Sequence, residues 1–227
     1  MPAADPLVPF VERLRVFVAD VRVIVDLRRY FGIGLPSGAV PFTGSRFEDF
    51  AGGGEGPEVA DTVTVTDLIA VQTVSVIVPV PVALDLLEGR LGARLSDVLR
   101  AIPADVDMTD VDAADLAPGS PAQQAWDLLC NQRGFCWVTA GKLLARKRPR
   151  LLPVYDRVVR CAVGRRESFW LALHAALRAD DRTLHRELTT LRQTAALPES
   201  VGVLRGRDVV VWMRHRADHK EPGCVWQ

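Results

Sequence analysis

The chain has 227 residues, 48% of them hydrophobic and 7% aromatic, and its 28 lysines and arginines balance 28 aspartates and glutamates. This composition excludes disordered, collagen-like and disulfide-scaffold proteins, and the length suffices for a well-buried core. Because no run of about 18 apolar residues occurs and residues 1–10 lack the basic start and apolar block of a secretory signal, we expect a cytoplasmic protein without a membrane partner.

The first predicted elements are an amphipathic helix and an ordered loop piece. Apolar residues recur at intervals of three or four from Leu7 to Phe31, which predicts a helix. Two segments rich in Gly and Pro, 32–38 and 51–57, frame Thr43–Glu48. That stretch is therefore predicted to be ordered between two loops.

Residues 61–79 allow two interpretations. Their many β-branched side chains favour a strand, yet Thr64 and Asp67 stand at the spacing of a helical capping box. Propensity alone favours the strand. The elements predicted next are helices at 82–88 and 91–102 and a solvated acidic connection at 105–115.

The second half predicts a run of helices. Ser120, Pro121 and Gln123 form a strong helix start, and this helix is predicted to run to about Asn131. A turn at 132–135 leads to a helix at 137–145, before prolines close the segment. Further helices are predicted at 154–163, 167–179, 181–194 and 207–218. The whole sequence predicts a mainly α protein without internal repeats.

The zero net charge hides an uneven distribution. Residues 1–130 contain nine arginines and 19 acidic residues, a net of −10, so the remainder carries +10. Residues 141–166 alone contain nine basic residues and one acid, Asp156. One interpretation is a polyanion partner such as DNA. The other is that the acidic N-terminal half docks on the basic C-terminal half of the same molecule.

Motifs of common enzyme classes are missing from the sequence. There is no G-x-S-x-G, no complete dinucleotide-binding fingerprint and no Walker motif. The cysteines show no CxxC spacing, which fits thiols in a reducing compartment. His215 and His219 lie one helical turn apart with Cys224 beyond, a spacing that suits a metal site and that a polar C-terminus explains as well. We predict no metal and no cofactor.

The most informative segment is the turn before Trp137 and the basic stretch after it. A helix N-terminus exposes backbone N–H groups that hold phosphate without sequence preference, and Lys142 with the cluster 146–150 would add counter-charge. A carboxylate among so many cations, here Asp156, is either paired structurally or held for chemistry.

These residues resemble the helix-hairpin-helix superfamily of DNA glycosylases. The hairpin of that superfamily reads roughly L-P-G-V-G-x-K-T-A and precedes a V-D-T-H-V segment that bears the catalytic Asp. The residues that match the hairpin are Gly134, Thr139 and Ala140, and Asp156 falls in the catalytic position. The stretches TGSRFE at 43–48 and KLLARKRPRLLPVYD at 142–156 also look like an uncharacterised bacterial domain family related distantly to those glycosylases.

The resemblance implies a two-lobed helical domain with a helix-hairpin-helix-like element. It implies an N-terminal helix and Gly-rich loop segment at 1–60 and a glycosylase-like core at 61–227, together one compact unit. Within the core, the hairpin is expected at 124–146 and the Asp-bearing helix start at 153–163. The resemblance also requires a helix within 61–79, against the propensity.

The function implied by the resemblance is that of a monofunctional DNA N-glycosylase that removes an altered or modified base. Asp156 would stabilise the oxocarbenium-like sugar or position the attacking water, and the base would be flipped into a pocket between the lobes. Val138 stands where bifunctional members carry a Schiff-base lysine, which leaves direct hydrolysis. The DNA-binding candidates are Gly134, Cys136, Thr139, Lys142, Arg146, Lys147 and Arg148. The base-pocket candidates are Trp137, Tyr155, Arg46 and Glu48.

Departures from the hairpin pattern keep other functions open. Arg133 replaces the hairpin proline and Cys136 replaces the second glycine, which weakens the expected approach to phosphate. The alternative is a non-catalytic helical module that binds DNA or another protein while keeping the glycosylase-like fold. A further alternative is an enzyme that cleaves the glycosidic bond of a free nucleoside, which would need no basic surface.

Overall fold

The computed structural model describes residues 7–164 and 168–219, and within these ranges it contains helices and turns but no strand. The predicted mainly α fold is therefore confirmed. The chain divides into two compact units: a terminal unit, Met1–Phe42 with Tyr155–Gln227, and a middle unit, Thr43–Val154. The predicted division into segments 1–60 and 61–227 stays a prediction.

The middle unit contains residues 124–146, for which the sequence predicts a hairpin. Its helices are α3 (Val65–Thr73), α4 (Val80–Glu88), α5 (Arg90–Leu99), α6 (Pro121–Cys130) and α7 (Trp137–Lys147). Short 3-10 turns lie at Thr43–Arg46, Phe50–Gly52 and Ala113–Leu116. Helices α3 and α6 both pack on α7, and every residue of α7 from Val138 to Lys147 is buried. Helix α7 is thus the central helix of this unit.

Local sequence signals explain where two of these helices begin. Thr64 and Asp67 form a complete capping box at the start of α3, so the helix within 61–79 is confirmed and the strand preference is overridden. At α6, the Ser120 hydroxyl accepts the backbone N–H of Gln123 at 3.2 Å. A Cβ on Gly141 would lie 3.0 Å from the Trp126 ring, so a residue without a side chain lets α6 and α7 approach closely.

The terminal unit is built from both ends of the chain. Its helices are α1 (Leu7–Val18), α2 (Val23–Phe31), α8 (Arg157–Val163), α9 (Phe169–Thr194) and α10 (Val203–His215). Its core joins α2 and α10 through buried apolar side chains, among them Val23, Leu27, Tyr30, Val209 and Val210. The cores of the two units are therefore formed by different helices.

Three predicted elements differ from the structure. The single helix predicted at 7–31 is broken after α1, because the Asp20 carboxylate accepts the backbone N–H of Arg22 at 2.8 Å and stabilises a turn there. The helices predicted at 167–179 and 181–194 correspond to α9, which is interrupted by an extended Ala179 and by left-handed residues at 180–182. The acidic connection at 105–115 is not fully solvated, because Met108 within it is 1% exposed.

Candidate functional site

Four cations of α7 and the residue after it, which the sequence analysis assigned to DNA phosphates, lie inside the middle unit. Lys142, Arg146, Lys147 and Arg148 are 5%, 2%, 0% and 1% exposed. Burying a cation is costly unless its donors find acceptors, so each must be satisfied by groups of the protein itself. The hydrogen-bond and ion-pair partners of these four side chains show how the fold accommodates buried cations.

Asp67 is the buried carboxylate that pairs with two of these cations. It is 0% exposed, and its Oδ1 accepts Arg146 Nε at 3.1 Å while its Oδ2 accepts Lys147 Nζ at 2.8 Å. The backbone N–H of Thr64 also donates to Asp67 Oδ2, at 3.0 Å. Asp67 therefore both caps the start of α3 and links that helix to α7. Burial lowers the pKa of Lys147 below the ordinary lysine value, while Asp67 acts in the opposite direction.

Arg146 fastens the loop piece at 43–48 to α7. Its Nη1 donates to the carbonyls of Phe47 and Glu48 at 2.5 and 2.6 Å, and its Nη2 donates to the Phe50 carbonyl at 2.7 Å. Gly54 lies against the same guanidinium, since a Cβ there would be 2.8 Å from Arg146 Nε. The two stretches of the family resemblance, TGSRFE and KLLARKRPRLLPVYD, are therefore in direct contact through one side chain.

Lys142 and Arg148 satisfy carbonyls at the ends of helices. Lys142 Nζ donates to the Val74 carbonyl at 2.6 Å, just after α3. Arg148 donates to the Leu99 and Ile102 carbonyls at 2.5 and 2.8 Å, where α5 ends, and pairs with Asp61 at 2.6 Å. Helix C-termini present carbonyls without intrahelical partners and carry partial negative charge, so these cations are favourably placed there.

The predicted phosphate-binding role of Lys142, Arg146, Lys147 and Arg148 is therefore corrected. A phosphate contact needs donors at the surface, whereas these donors are buried and directed to acceptors of the middle unit. The sequence does carry one sign of this burial, because the apolar residues Leu143 and Leu144 stand among the cations of α7. Charge alone does not distinguish a displayed cation from a buried one.

The turn before α7 contains the residues for which the sequence predicts a hairpin. Gly134 is exposed and has a φ of +77°, a left-handed value that glycine adopts without strain. Cys136 is exposed as well, while Thr139 is 4% exposed, with its hydroxyl 3.4 Å from Cys136 Sγ. Trp137 is partly exposed at the first position of α7. The exposed residues of this turn are therefore Arg133, Gly134 and Cys136, and Trp137 is partly exposed.

Asp156 is the residue that begins α8 in the terminal unit. It is the N-cap of that helix and is partly exposed, and its Oδ1 accepts the backbone N–H of Val159 at 3.0 Å. This bond supplies a donor from the first turn of the helix and orients the carboxylate. Within the segment 153–163, the helix α8 runs from Arg157 to Val163.

Tyr155 packs inside the terminal unit. Its ring stacks on Phe169 with centroids 3.8 Å apart and an interplanar angle of 11°, and its hydroxyl donates to the Gly164 carbonyl at 3.1 Å. The buried guanidinium of Arg207 lies 5.2 Å from the centroid of Phe169 and forms an ion pair with Asp208. The predicted base-stacking role of Tyr155 is corrected, because one face of its ring is covered and the residue is 9% exposed.

The other predicted pocket residues lie in the middle unit. Arg46 is exposed at the end of a 3-10 turn, whereas Glu48 is 8% exposed and its backbone carbonyl accepts Arg146. Trp137, Arg46 and Glu48 therefore belong to one unit, and Asp156 and Tyr155 belong to the other. The proposal that they share one pocket stays a prediction.

Ion pairs within each unit join the acidic and basic halves of the sequence. In the middle unit, Asp67 pairs with Arg146 and Lys147, and Asp107 pairs with Arg150 at 2.9 Å. In the terminal unit, Arg214 pairs with Asp20 at 2.6 Å and with Asp26 at 3.3 Å. Such pairs are expected if the acidic and basic halves of the sequence neutralise each other within the molecule. No described helix is long and apolar enough to cross a membrane.

Three side chains that can bind a metal ion lie close together in the terminal unit. Cys161 of α8 and His215 and His219 at the end of α10 bring their ligand atoms within 4.8 Å of one another. Cys224, which the sequence placed with these histidines, lies outside the described residues. The sequence around Cys161 does not predict its place in this group, because only the packing of α8 on α10 brings it to the histidines.

Comparison with known proteins gives a family and no activity. No curated protein and no solved structure matches the chain. The family match carries no statement about helix-hairpin-helix glycosylases, so that resemblance stays a prediction. A family profile described as "Family of unknown function (DUF6308)" matches residues 23–215, which is most of the chain, and the protein therefore belongs to that family.

Proposed function

We propose that the protein is a monofunctional N-glycosylase-like enzyme that hydrolyses the bond between an altered or modified base and the deoxyribose of DNA. The supporting observation is the placement of Asp156 at the start of α8. Asp156 is partly exposed, and its carboxylate is oriented by the Val159 N–H at 3.0 Å. A fixed carboxylate that reaches solvent is what stabilisation of an oxocarbenium-like sugar or of an attacking water requires.

The environment of the nearest lysine supports direct hydrolysis over a lyase step. Val138 occupies the position of the Schiff-base lysine, and Lys142 is the lysine one helical turn further along α7. Lys142 is 5% exposed, and its Nζ donates to the Val74 carbonyl at 2.6 Å. Because a Schiff base needs a lysine amine that reaches the sugar, Lys142 is not available for that step.

The DNA contact in this proposal lies at the turn before α7. Gly134 and Cys136 are exposed there, and the helix start after them presents backbone N–H groups. With the four buried cations excluded, Arg133 is the exposed cation of this turn, and few phosphate contacts by side chains are expected there. Since the salt dependence of binding scales with the number of neutralised phosphates, a shallow dependence is expected.

Base release from duplex DNA tests the proposal. The full chain is incubated with duplexes that each carry one altered base, and the released base is quantified for the wild type and for Asp156→Asn. Asparagine also caps helices, so this change removes the charge while keeping the bond to Val159. We expect release by the wild type and a loss of about 100-fold or more in the variant.

A matched control separates chemistry from stability. Ser168 caps α9 in the same unit through the backbone N–H of Leu171, so Ser168→Ala removes a cap without touching Asp156. The Ser168→Ala protein should release base at the wild-type rate per folded molecule. Equal release by Asp156→Asn and the wild type would exclude Asp156 as the carboxylate.

The second candidate is a non-catalytic helical module that binds DNA or another protein. Burial of Lys142, Arg146, Lys147 and Arg148 favours it, because these cations stabilise the fold and are not displayed. This module would release no base from any duplex. A DNA-binding module would lose affinity as salt is added, whereas a protein-interaction module would show no DNA binding at low salt.

A further inference from the structure

The ends of α8 and α10 in the terminal unit bring together three residues with metal-binding side chains. Cys161 lies near the C-terminus of α8, His215 is the last residue of α10, and His219 follows one turn later. The backbone N–H of His219 donates to the His215 carbonyl at 2.9 Å, so this turn continues the helical path and holds both imidazoles on one side. The ligand atoms of the three residues lie within 4.8 Å of one another.

His215 supplies an independent observation. Its Nε2 is buried and has no hydrogen-bond partner, although a buried polar atom is normally paired. A neutral imidazole nitrogen without a donor is a good ligand for a transition metal. A bound cation would satisfy this atom, which the surrounding helices leave unsatisfied.

We propose that Cys161, His215 and His219 form a binding site for a borderline-soft divalent cation of the Zn²⁺ class. Zinc takes Cys and His ligands at bond lengths of about 2.3 and 2.0–2.1 Å, which in a tetrahedral site puts ligand atoms about 3.4–3.6 Å apart. The observed separations are close enough for side-chain rotation to reach that geometry. Imidazole and thiolate ligands exclude Mg²⁺ and Ca²⁺, which prefer oxygen.

The state of Cys161 decides when the site is available. Cys161 is disulfide-bonded in the structure, and a sulfur in a disulfide is not a thiolate ligand. A dithiol reductant delivers two electrons and two protons to the disulfide, whose S–S bond breaks to give two thiols while the reductant closes to its own disulfide. The Cys161 thiol then releases its proton to solvent as the metal binds. Disulfide and metal are thus alternatives at one sulfur.

The metal would act as a clip between two helices of the terminal unit. It joins the end of α10 to α8, the helix that Asp156 caps. Ligands from distant parts of a chain couple metal binding to folding, because the unfolded chain does not hold them together. The inference does not depend on the glycosylase proposal, since it predicts metal binding and thermal stabilisation whether or not the protein releases a base.

Cobalt and zinc titrations test the site. The full chain is reduced with a dithiol, the reductant is removed under argon, and Co²⁺ is added as a spectroscopic probe. We expect one equivalent to bind, with the visible bands of tetrahedral cobalt and a sulfur-to-cobalt charge-transfer band, and Zn²⁺ to displace it. His215→Ala and His219→Ala should each weaken Zn²⁺ binding by about 100-fold or more.

The controls keep the inference falsifiable if a variant folds poorly. His185→Ala changes a histidine of α9 that is not in the group and should bind as the wild type does. Cys161→Ser should abolish the charge-transfer band, and the protein oxidised again should lose tight binding. Absence of the charge-transfer band in the reduced wild type, or equal Zn²⁺ affinity in the oxidised and reduced proteins, would overturn the proposal.

Discussion

Asp67 and Lys147 form an ion pair in which both side chains are 0% exposed and Nζ lies 2.8 Å from Oδ2. The same carboxylate pairs with Arg146, so one acid compensates two cations. The same two cations also donate to backbone carbonyls, Lys147 to Val59 and Arg146 to Phe50. Because the cluster joins α3, α7 and the loop piece at 43–48, its disruption should destabilise the whole middle unit.

Asp67→Asn should lower the free energy of unfolding by about 3–5 kcal/mol, because it leaves Arg146 and Lys147 buried without an opposite charge. Urea denaturation at neutral pH measures this loss. Asp61→Asn is the matched control: its side chain is 40% exposed, and Arg148 keeps its carbonyl acceptors, so we expect a loss of about 1 kcal/mol. Equal losses of stability in the two variants would contradict the conclusion that Asp67 holds this cluster together.

Gly54→Ala should lower the free energy of unfolding by about 1–3 kcal/mol. A Cβ there would lie 2.6 Å from the Arg146 carbonyl oxygen and 2.9 Å from Asp67 Oδ1, and neither atom is at the end of a flexible surface side chain. Gly56→Ala is the control, since its Cβ would meet only Val59 Cγ2 at 3.9 Å. Denaturation of both variants measures their free energies of unfolding. A Gly54→Ala protein as stable as Gly56→Ala would rule out the close approach of Gly54 to Arg146 and Asp67.

Thiol alkylation should distinguish Cys136 from Cys130. Cys136 is exposed, whereas burial raises the pKa of Cys130 to about 11. At about pH 8 the reactive thiolate of a group with that pKa is populated to about one part in a thousand, so iodoacetamide should modify Cys136 first. Mass mapping of the alkylated peptides follows both sites. Modification of Cys130 should accelerate up to about pH 11 and reach the rate of Cys136 in urea.

Asp156→Ala should lower the free energy of unfolding by about 1 kcal/mol, because the Val159 N–H loses its acceptor at the start of α8. Asp156→Asn should change it by only a few tenths of a kcal/mol, because asparagine caps almost as well. Thermal unfolding of the two variants beside the wild type makes the comparison. If Asn and Ala were equally destabilising, the negative charge, and not the cap, would be the stabilising feature.

Several features of this protein were predictable because they depend on residues close in sequence. The start of α6 followed from Ser120 and Pro121, and the start of α3 from the capping pair Thr64 and Asp67. Helical periodicity gave the mainly α fold and the positions of most helices. The break after α1 was missed, because the Asp20 turn competes with a helical pattern that continues on both sides.

The sequence by itself determined that the chain is helical, where its capped helices begin, and that its charge is divided between two halves, since helix caps and apolar periodicity act within one or two turns. Only the tertiary structure decided that Lys142, Arg146, Lys147 and Arg148 are interior groups and that Cys161 meets His215 and His219. A long cationic side chain has the same local pattern on a surface as in a core. Its environment depends on which carboxylates and helix ends the fold brings to it, and those lie far away in sequence.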